Sequence, residues 1–224
     1  MNYSLIIPIY NEARTLDKLL NDLDELSDNI EIIIVNDGST DGTKYRLDKS
    51  NSFKIIHNSK NLGKGSSIII GERHATTQNI ILMDGDLEID MKSIKKCITV
   101  FKENNNAVVV GSRWNEKSQS GLNINTLGNF IINYIFNFLY KTNLNDVLCC
   151  VKIIRKDILR SLNLRSEKFG IEIELMSKLA IKGTEFFEVN VVYNRRKNSQ
   201  GKKLKISDSF DIIWTMIKLG IKSK

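Results

Sequence analysis

Short runs of β-branched residues alternate with stretches of helical period along the first half of the chain. Residues 4–8 (SLIIP) and 30–35 (IEIIIV) predict strands, the second apolar enough to be covered on both faces. Between them, residues 12–26 place Leu16, Leu19, Leu20 and Leu23 on one helical face. After NDGSTDG a short helix precedes a strand at 53–57, and NLGKGSS opens a further helix. NIILM (79–83) is the next strand; a helix over 93–103 and a strand over 107–110 complete the series. Strands alternating with helices through short loops predict an open, mostly parallel α/β sheet. In such sheets ligands bind beyond the carboxyl ends of the strands.

The second half has a different texture. Residues 118–140 contain no charged side chain, and Asn129, Asn133 and Asn137 fall four apart along one helical face. Two readings suit this segment: an amphipathic helix packed on the core, or an interfacial helix presenting Phe130, Ile131, Tyr134 and Phe138 to lipid. Residues 146–154 follow, then a helix over 170–181 and a strand over 185–192. A basic loop, NRRKNSQGKKLK, leads to a C-terminal helix over 207–219. Neither an internal repeat nor a low-complexity linker interrupts the chain, so residues 1–224 are expected to form one domain.

Composition narrows the setting. An apolar fraction of 42% in 224 residues is enough for one sizeable core. The formal net charge of +7 suits an anionic partner as well as plain solubility. Cys97, Cys149 and Cys150 show no CxxC spacing, which argues against a zinc site or a disulfide framework and for a reducing, cytoplasmic location. MNYSLIIPIYNEA lacks the basic start of a signal peptide, and no apolar run approaches the ~20 residues that span a bilayer. The expectation is a soluble protein or one peripheral to the cytoplasmic face of a membrane. Basic residues cluster only at 195–205 without interleaved aromatics, so a nucleic-acid partner is not expected.

The chemistry-bearing residues gather at predicted strand ends: Tyr10-Asn11-Glu12, Asp37-Gly38-Ser39, Asp84-Gly85-Asp86 and Gly111-Ser112-Arg113. One such end is a turn with a helix cap; four on one rim point to a site. In ILMDGDLEID the carboxylates Asp84, Asp86, Glu88 and Asp90 repel one another unless water, backbone donors or a cation compensates them. Carboxylate oxygens are hard donors suited to Mg²⁺ or Mn²⁺, and the alternative is a solvated turn capping the following helix. Asp37 could accept from a base N–H or close an Asx-turn. NLGKG, with Lys64, is a Gly-rich loop suited to holding an anion. It is not a Walker motif, and no GxGxxG follows a strand. His57 and His74 have no ligand partner at useful spacing and read as structural or surface residues.

IIPIYNEARTL, EIIIVNDGSTDGT, NLGKGSS, MDGDLEID and VVVGSRW stand in the order found in glycosyltransferase family 2. The resemblance continues through TNLNDVLCCVKIIRKDIL, KFGIEIELMSKLAIKG and NVVYNRRKNSQGKKLKISD, covering residues 3 to 219. Within the family the chain resembles the dolichyl- and polyprenyl-phosphate sugar transferase branch. The resemblance implies a GT-A fold, with residues 1–113 as the nucleotide-sugar half and 114–224 as the acceptor half. It implies that Pro8, Tyr10 and Glu12 line a nucleotide pocket, that Asp37 contacts the base, and that Asp84 and Asp86 hold a divalent metal with the donor's diphosphate. Glu88 falls near that metal. Arg113 and Arg195 would face phosphates, with Lys202 and Lys203 in the same basic loop. Cys149-Cys150-Val151-Lys152, Ile173 and Asn194 depart from the common pattern and bear on the acceptor.

The reaction so implied is inverting transfer of one sugar from a nucleoside diphosphate sugar (UDP- or GDP-linked), Mg²⁺ or Mn²⁺ offsetting the departing charge. A lipid monophosphate acceptor is already ionised and needs no strong base; Arg113 and Arg195 would position it. A glycan hydroxyl acceptor needs a base, for which Asp146 is the first candidate and Glu172 the second; both also suit surface charge or pairing with nearby lysines. A nucleotidylyltransferase would carry a Gly-rich, Arg-containing loop where this chain has IPIYNEAR. A non-catalytic sugar-nucleotide binder is the remaining alternative, against which the intact carboxylates argue.

Overall fold

The computed structural model describes residues 2–26, 29–104, 107–114, 124–196 and 206–222. Strands β1 (Tyr3–Ile9), β2 (Ile30–Asn36), β3 (Lys54–His57), β4 (Asn79–Leu82), β5 (Val108–Ser112), β6 (Lys152–Arg155) and β7 (Phe186–Asn190) form one sheet. Their order is β3-β2-β1-β4-β6-β5-β7. β1 runs parallel to β2 and β4, β2 to β3, and β5 to β7; β6 alone is antiparallel to its neighbours β4 and β5. The expected mostly parallel sheet is therefore present, with one reversed strand in a segment that periodicity had left unassigned. KIIR is too short for its pattern to separate strand from helix.

Alternation along the strands divides the core in two. Leu5, Ile7, Ile9, Ile32, Ile34 and Ile81 pack against α1 (Leu16–Asp24) and α4 (Lys92–Glu103) through Leu19, Leu23, Ile94 and Phe101. Ile6, Ile33, Val35, Ile80 and Leu82 face the opposite way. That side is covered by α3 (Lys64–His74), α5 (Ile124–Tyr140), α6 (Lys156–Ser161), α7 (Gly170–Ile181) and α8 (Ile206–Lys222). The remaining short helix, α2 (Thr43–Leu47), buries Leu47. A period of two on the strands makes this two-sided burial unavoidable.

Two elements differ instructively from the pattern. α1 starts at Leu16 rather than at residue 12, and the backbone amides of residues 11–13 donate to side chains from beyond β2. α5 packs on the core with one face and leaves apolar side chains exposed on the other. Ile132 and Phe136 are in the core, whereas Tyr134 and Phe138 are 75% and 76% exposed, with Leu127, Phe130 and Ile131 also on the outside. Trp214 of α8 is a further exposed aromatic. Among the described residues no helix is long and apolar enough to cross a membrane.

Candidate active site

The carboxyl ends of β1 and β2 are latched together by side chains. Asn11, held at a φ of 51°, donates its amide to Ser39 Oγ at 2.9 Å, and its side-chain oxygen accepts from Thr40 N at 2.7 Å. Glu12 N donates to Thr43 Oγ1 at 2.9 Å and Ala13 N to Asp41 Oδ2 at 3.1 Å. Pro8 and Tyr10 are partly exposed beside this latch; a proline is tolerated there because β4's pairing with β1 ends at Ile6.

Asp37 anchors the loop that follows β3. Its Oδ1 accepts from Leu62 N and Asn58 Nδ2, both at 2.9 Å, and its Oδ2 from Gly63 N at 2.8 Å. The NLGKG loop thus does hold an anion, but the anion is the protein's own carboxylate. The next amides, Gly65 N and Ser66 N, donate to the Glu167 carbonyl at 2.7 and 3.2 Å. These contacts also explain the glycines: a Cβ on Gly63 or Gly65 would lie 2.3 Å from Glu167 O or 1.9 Å from Ser166 O. Leu62 N, Gly63 N, Gly65 N and Ser66 N, which an open anion cradle would offer, are thus bonded within the chain.

At the end of β4 the acidic run splits into distinct environments. Asp84 Oδ1 lies 2.6 Å from Lys64 Nζ, whose other carboxylate neighbour is Glu172 Oε1 at 2.7 Å. Glu172 Oε2 takes the ammonium of Lys152, a wholly buried lysine on β6 that also donates to the Cys149 carbonyl. Burial alone would raise the Glu172 carboxyl, but Lys152 and Lys64 outweigh it and hold the group below its ordinary value. Burial likewise opposes the Lys64 ammonium, and Asp84 and Glu172 more than restore it. Among the described residues Asp86 has no such cation in contact. Burial, then Asp84, then Glu88 push its carboxyl up to about 7, against a backbone bond from Glu88 N at 3.0 Å. Asp90 caps α4, accepting from Lys92 N at 2.9 Å.

Residues 192–196 run back along this acidic segment. Ile89 and Tyr193 form an antiparallel bridge, Asn194 N donates to Glu88 O at 2.7 Å, and Asp90 N donates to Val192 O at 3.0 Å. Arg196 N donates to Glu88 Oε1 at 3.0 Å, while its guanidinium grips both oxygens of Glu12 at 3.3 and 2.9 Å. Glu88 is thereby turned to Arg196. Among the described residues no set of three or more His, Cys, Asp or Glu side chains is gathered as a metal site, and Glu88 Oε1 is bonded to Arg196 N. Arg196 is the residue that sequence reasoning missed here; its signal was only its place beside Arg195.

Beyond β5, Arg113 and Asp146 form a bidentate pair, Nε to Oδ2 and Nη2 to Oδ1, both at 2.7 Å. Asp146 Oδ2 also accepts Arg113 N at 3.0 Å. Asp146 is 1% exposed, and the guanidinium carbon lies 5.4 and 5.6 Å from the ring centres of Trp114 and Tyr193. Asp146 and Glu172 are thus corrected as base candidates: each is buried with both oxygens on cations. Arg113 is committed to Asp146 as a rigid fork, and Arg195 reaches Thr126 Oγ1 at 3.5 Å. Glu188 of β7, also missed, accepts Asn145 N and Asp146 N at 2.8 and 3.0 Å. A lone carboxylate in FFEVN, like a lone lysine in CCVKIIR, was its available signal. Lys202 and Lys203 lie outside the described residues.

Known proteins are similar to this chain in sequence and in fold. The chain is 26% identical over 203 residues to glycosyltransferase AglJ of Haloferax volcanii, covering 89% of this chain and 65% of that protein. It is 25% identical over 226 residues to dodecaprenyl-phosphate galacturonate synthase of Rhizobium johnstonii, covering 97% and 66%. To dolichyl-phosphate beta-glucosyltransferase ALG5A of Trichomonas vaginalis it is 27% identical over 245 residues, covering 97% and 72%. The chain therefore spans about two thirds of the length of these relatives. Among solved structures it superposes on glucosyl-3-phosphoglycerate synthase from Mycobacterium tuberculosis, crystallised with Mn²⁺, uridine diphosphate and phosphoglyceric acid. The TM-score is 0.78 at 15% identity, over 98% of this chain and 78% of that one, a likeness of fold. The family model for Glycosyl transferase family 2 matches residues 4–162, and the chain belongs to that family.

Proposed function

We propose that this chain transfers one sugar from a nucleoside diphosphate sugar to the phosphate of a polyprenyl-type lipid, inverting the anomeric centre. One observation carries the choice of acceptor. Both carboxylates that could have served as a base for a hydroxyl, Asp146 and Glu172, are buried on cations, whereas a phosphate acceptor arrives ionised and needs none. The names of the relatives from Rhizobium johnstonii and Trichomonas vaginalis support the same acceptor class.

The residues fit a divalent cation. Asp84 and Asp86 supply hard oxygen donors, and the raised Asp86 carboxyl marks a carboxylate short of positive charge. Asp84 and Asp86 would hold Mg²⁺ or Mn²⁺, and the chemistry that such an ion supplies is to offset charge on the departing diphosphate. Lys64, fixed between Asp84 and Glu172, orients Asp84. The Asp37 contacts fix the loop that carries Lys64, and Pro8, Tyr10 and Glu12 flank the nucleotide. The apolar outer face of α5 would meet the lipid part of the acceptor, and its Phe130 ring packs tilted at 5.3 Å from that of Trp114, next to Arg113.

The test is a binding and transfer panel of UDP-glucose, UDP-galactose and GDP-mannose, with and without Mn²⁺, offered farnesyl phosphate or a simple glycan. Metal-dependent donor binding and transfer to the phosphate are expected. Absence of metal-dependent binding to any donor, or transfer to the glycan hydroxyl alone, refutes the reading. Flotation with anionic vesicles tests the α5 face: the wild type should co-float at low salt, and a Tyr134→Ser/Phe138→Ser variant should not. A wild type that stays out of the lipid fraction counts against a membrane role.

A further inference from the structure

The loop that carries Asp146 is held in an unusual way. Four consecutive backbone amides, Leu144 to Val147, donate to side chains rather than to secondary structure. Leu144 N is accepted by Asn137 Oδ1 at 3.0 Å, Asn145 N and Asp146 N by Glu188 at 2.8 and 3.0 Å, and Val147 N by Asn133 Oδ1 at 2.9 Å. The carboxamides of Asn133 and Asn137 complete the grip by donating to the single carbonyl of Leu144 at 3.0 and 2.8 Å. Thr142 Oγ1 adds a bond to Asn137 Oδ1 at 2.8 Å. Both asparagines belong to the four-residue spacing noted along α5, so one helix positions the loop from one side while β7 positions it from the other.

A loop satisfied this completely, with Leu144, Asp146 and Val147 buried and Asn145 exposed, has a strongly preferred placement, because breaking its buried bonds strands polar groups away from water. The placement sets the Asp146 carboxylate, and the two-pronged pair then sets the plane of the Arg113 guanidinium. The turns of α5 that present Asn133 and Asn137 inward present Tyr134 and Phe138 outward. The same helix therefore carries an apolar contact face and the bonds that fix Arg113.

We propose that Asn133, Asn137 and Glu188 are positioning residues that set the Asp146–Arg113 pair for the acceptor phosphate and leave the donor site untouched. The proposal rests on the functional reading above and names the part of that site which the acceptor reads. Donor-side contacts run instead through the strand ends of β1, β2 and β4, none of which touches this loop through a bond described above.

The test compares Asn137→Ala, Glu188→Ala and the conservative Glu188→Gln, which keeps an oxygen for the two amides. Three quantities are read: Mn²⁺-dependent binding of UDP or GDP, slow donor hydrolysis by water, and KM and kcat for farnesyl phosphate. Misplacing a reacting group by about 1 Å costs up to about a hundredfold, so kcat/KM for the acceptor should fall at least about tenfold in both alanine variants. Nucleotide binding and donor hydrolysis should stay within about twofold, and Glu188→Gln should recover most of the acceptor loss. If Asn137→Ala does not fold, the Glu188 pair alone decides. Equal losses for donor and acceptor, no loss in folded variants, or no recovery with glutamine would each overturn the proposal while the functional reading stands. No transfer by the wild-type chain would refute the reading and this proposal together.

Discussion

Lys152→Met probes the buried charge network most directly. Asp84, Lys64, Glu172 and Lys152 form a chain of two cations and two anions, closed by the Lys152 bond to the Cys149 carbonyl. Methionine keeps the length of the side chain and removes its charge, leaving one surplus negative charge and a carbonyl without its donor. Removing one partner of a buried pair costs about 3–5 kcal/mol. Because Lys64 remains 2.7 Å from Glu172, the lower end, about 3 kcal/mol, is expected. Glu172→Gln alone leaves a surplus positive charge and should cost about the same. The double variant retains only the neutral Lys64–Asp84 pair, so its cost reduces to unsatisfied neutral groups, about 2 kcal/mol.

The two single losses would then add to about 6 kcal/mol against about 2 for the double, a coupling of about 4 kcal/mol. For a chain of this size each kcal/mol moves Tm by about 2–4 °C, so each single variant should melt about 6–12 °C lower. Urea unfolding of the four proteins measures the cycle. Coupling below about 1 kcal/mol would refute the claim that these charges compensate one another as a unit.

Three other perturbations follow from the same geometry. The Asp86 carboxyl, at about 7, stands above the ordinary carboxylate value near 4, so its contribution to stability is complete below about pH 4 and is lost as pH rises through about 7. Metal-free protein should melt lower at about pH 8 than at about pH 5.5, Mn²⁺ should raise Tm more at the higher pH, and Asp86→Asn should flatten both trends in scanning fluorimetry. Asp37→Asn leaves Leu62 N and Gly63 N without a charged acceptor and should cost about 1.5–3 kcal/mol in urea, with weaker nucleotide binding because Lys64 follows the loop; an unchanged midpoint would refute the assignment. Arg196→Met removes the grip on Glu12 and should speed chymotryptic cleavage after Tyr193 several-fold, an effect absent if the 192–196 segment is held by its backbone bonds alone.

The sheet was legible because its signal is repetitive. IEIIIV, SLIIP and NIILM carry the alternation and the buried runs that parallel strands require, and the loops between them are short. The rim was legible for the same reason: strand ends are where polar residues interrupt apolar runs. Which partner each rim residue takes was not legible, because those partners lie far off in sequence and are fixed only by packing. Asp37 and Gly63 are 26 residues apart, Asp146 and Arg113 33, and Arg196 and Glu12 184. A carboxylate facing an amide, a lysine or a metal has one and the same letter in the sequence. The strand β6 was obscured by its brevity, and its lysine by the expectation that lysines are exposed.

The rim cations have a consequence for the order in which ligands arrive. Lys64 already sits 2.6 Å from Asp84, so a divalent ion approaching Asp84 and Asp86 alone meets an ammonium that repels it. A nucleoside diphosphate bound as proposed would change the balance, its oxygens giving Lys64 and Arg196 anionic partners and compensating the ion at the same time. Metal and nucleotide are therefore expected to bind with strong positive coupling, each raising the affinity of the other by the same factor. Calorimetry should show weak binding of Mn²⁺ alone and binding at least about tenfold tighter with UDP or GDP present. Lys64→Met should tighten binding of the bare ion, by removing the repulsion, and weaken binding of the metal–nucleotide pair, by removing a cation that the diphosphate uses. If the variant instead weakens both equally, Lys64 acts only by holding Asp84 in place.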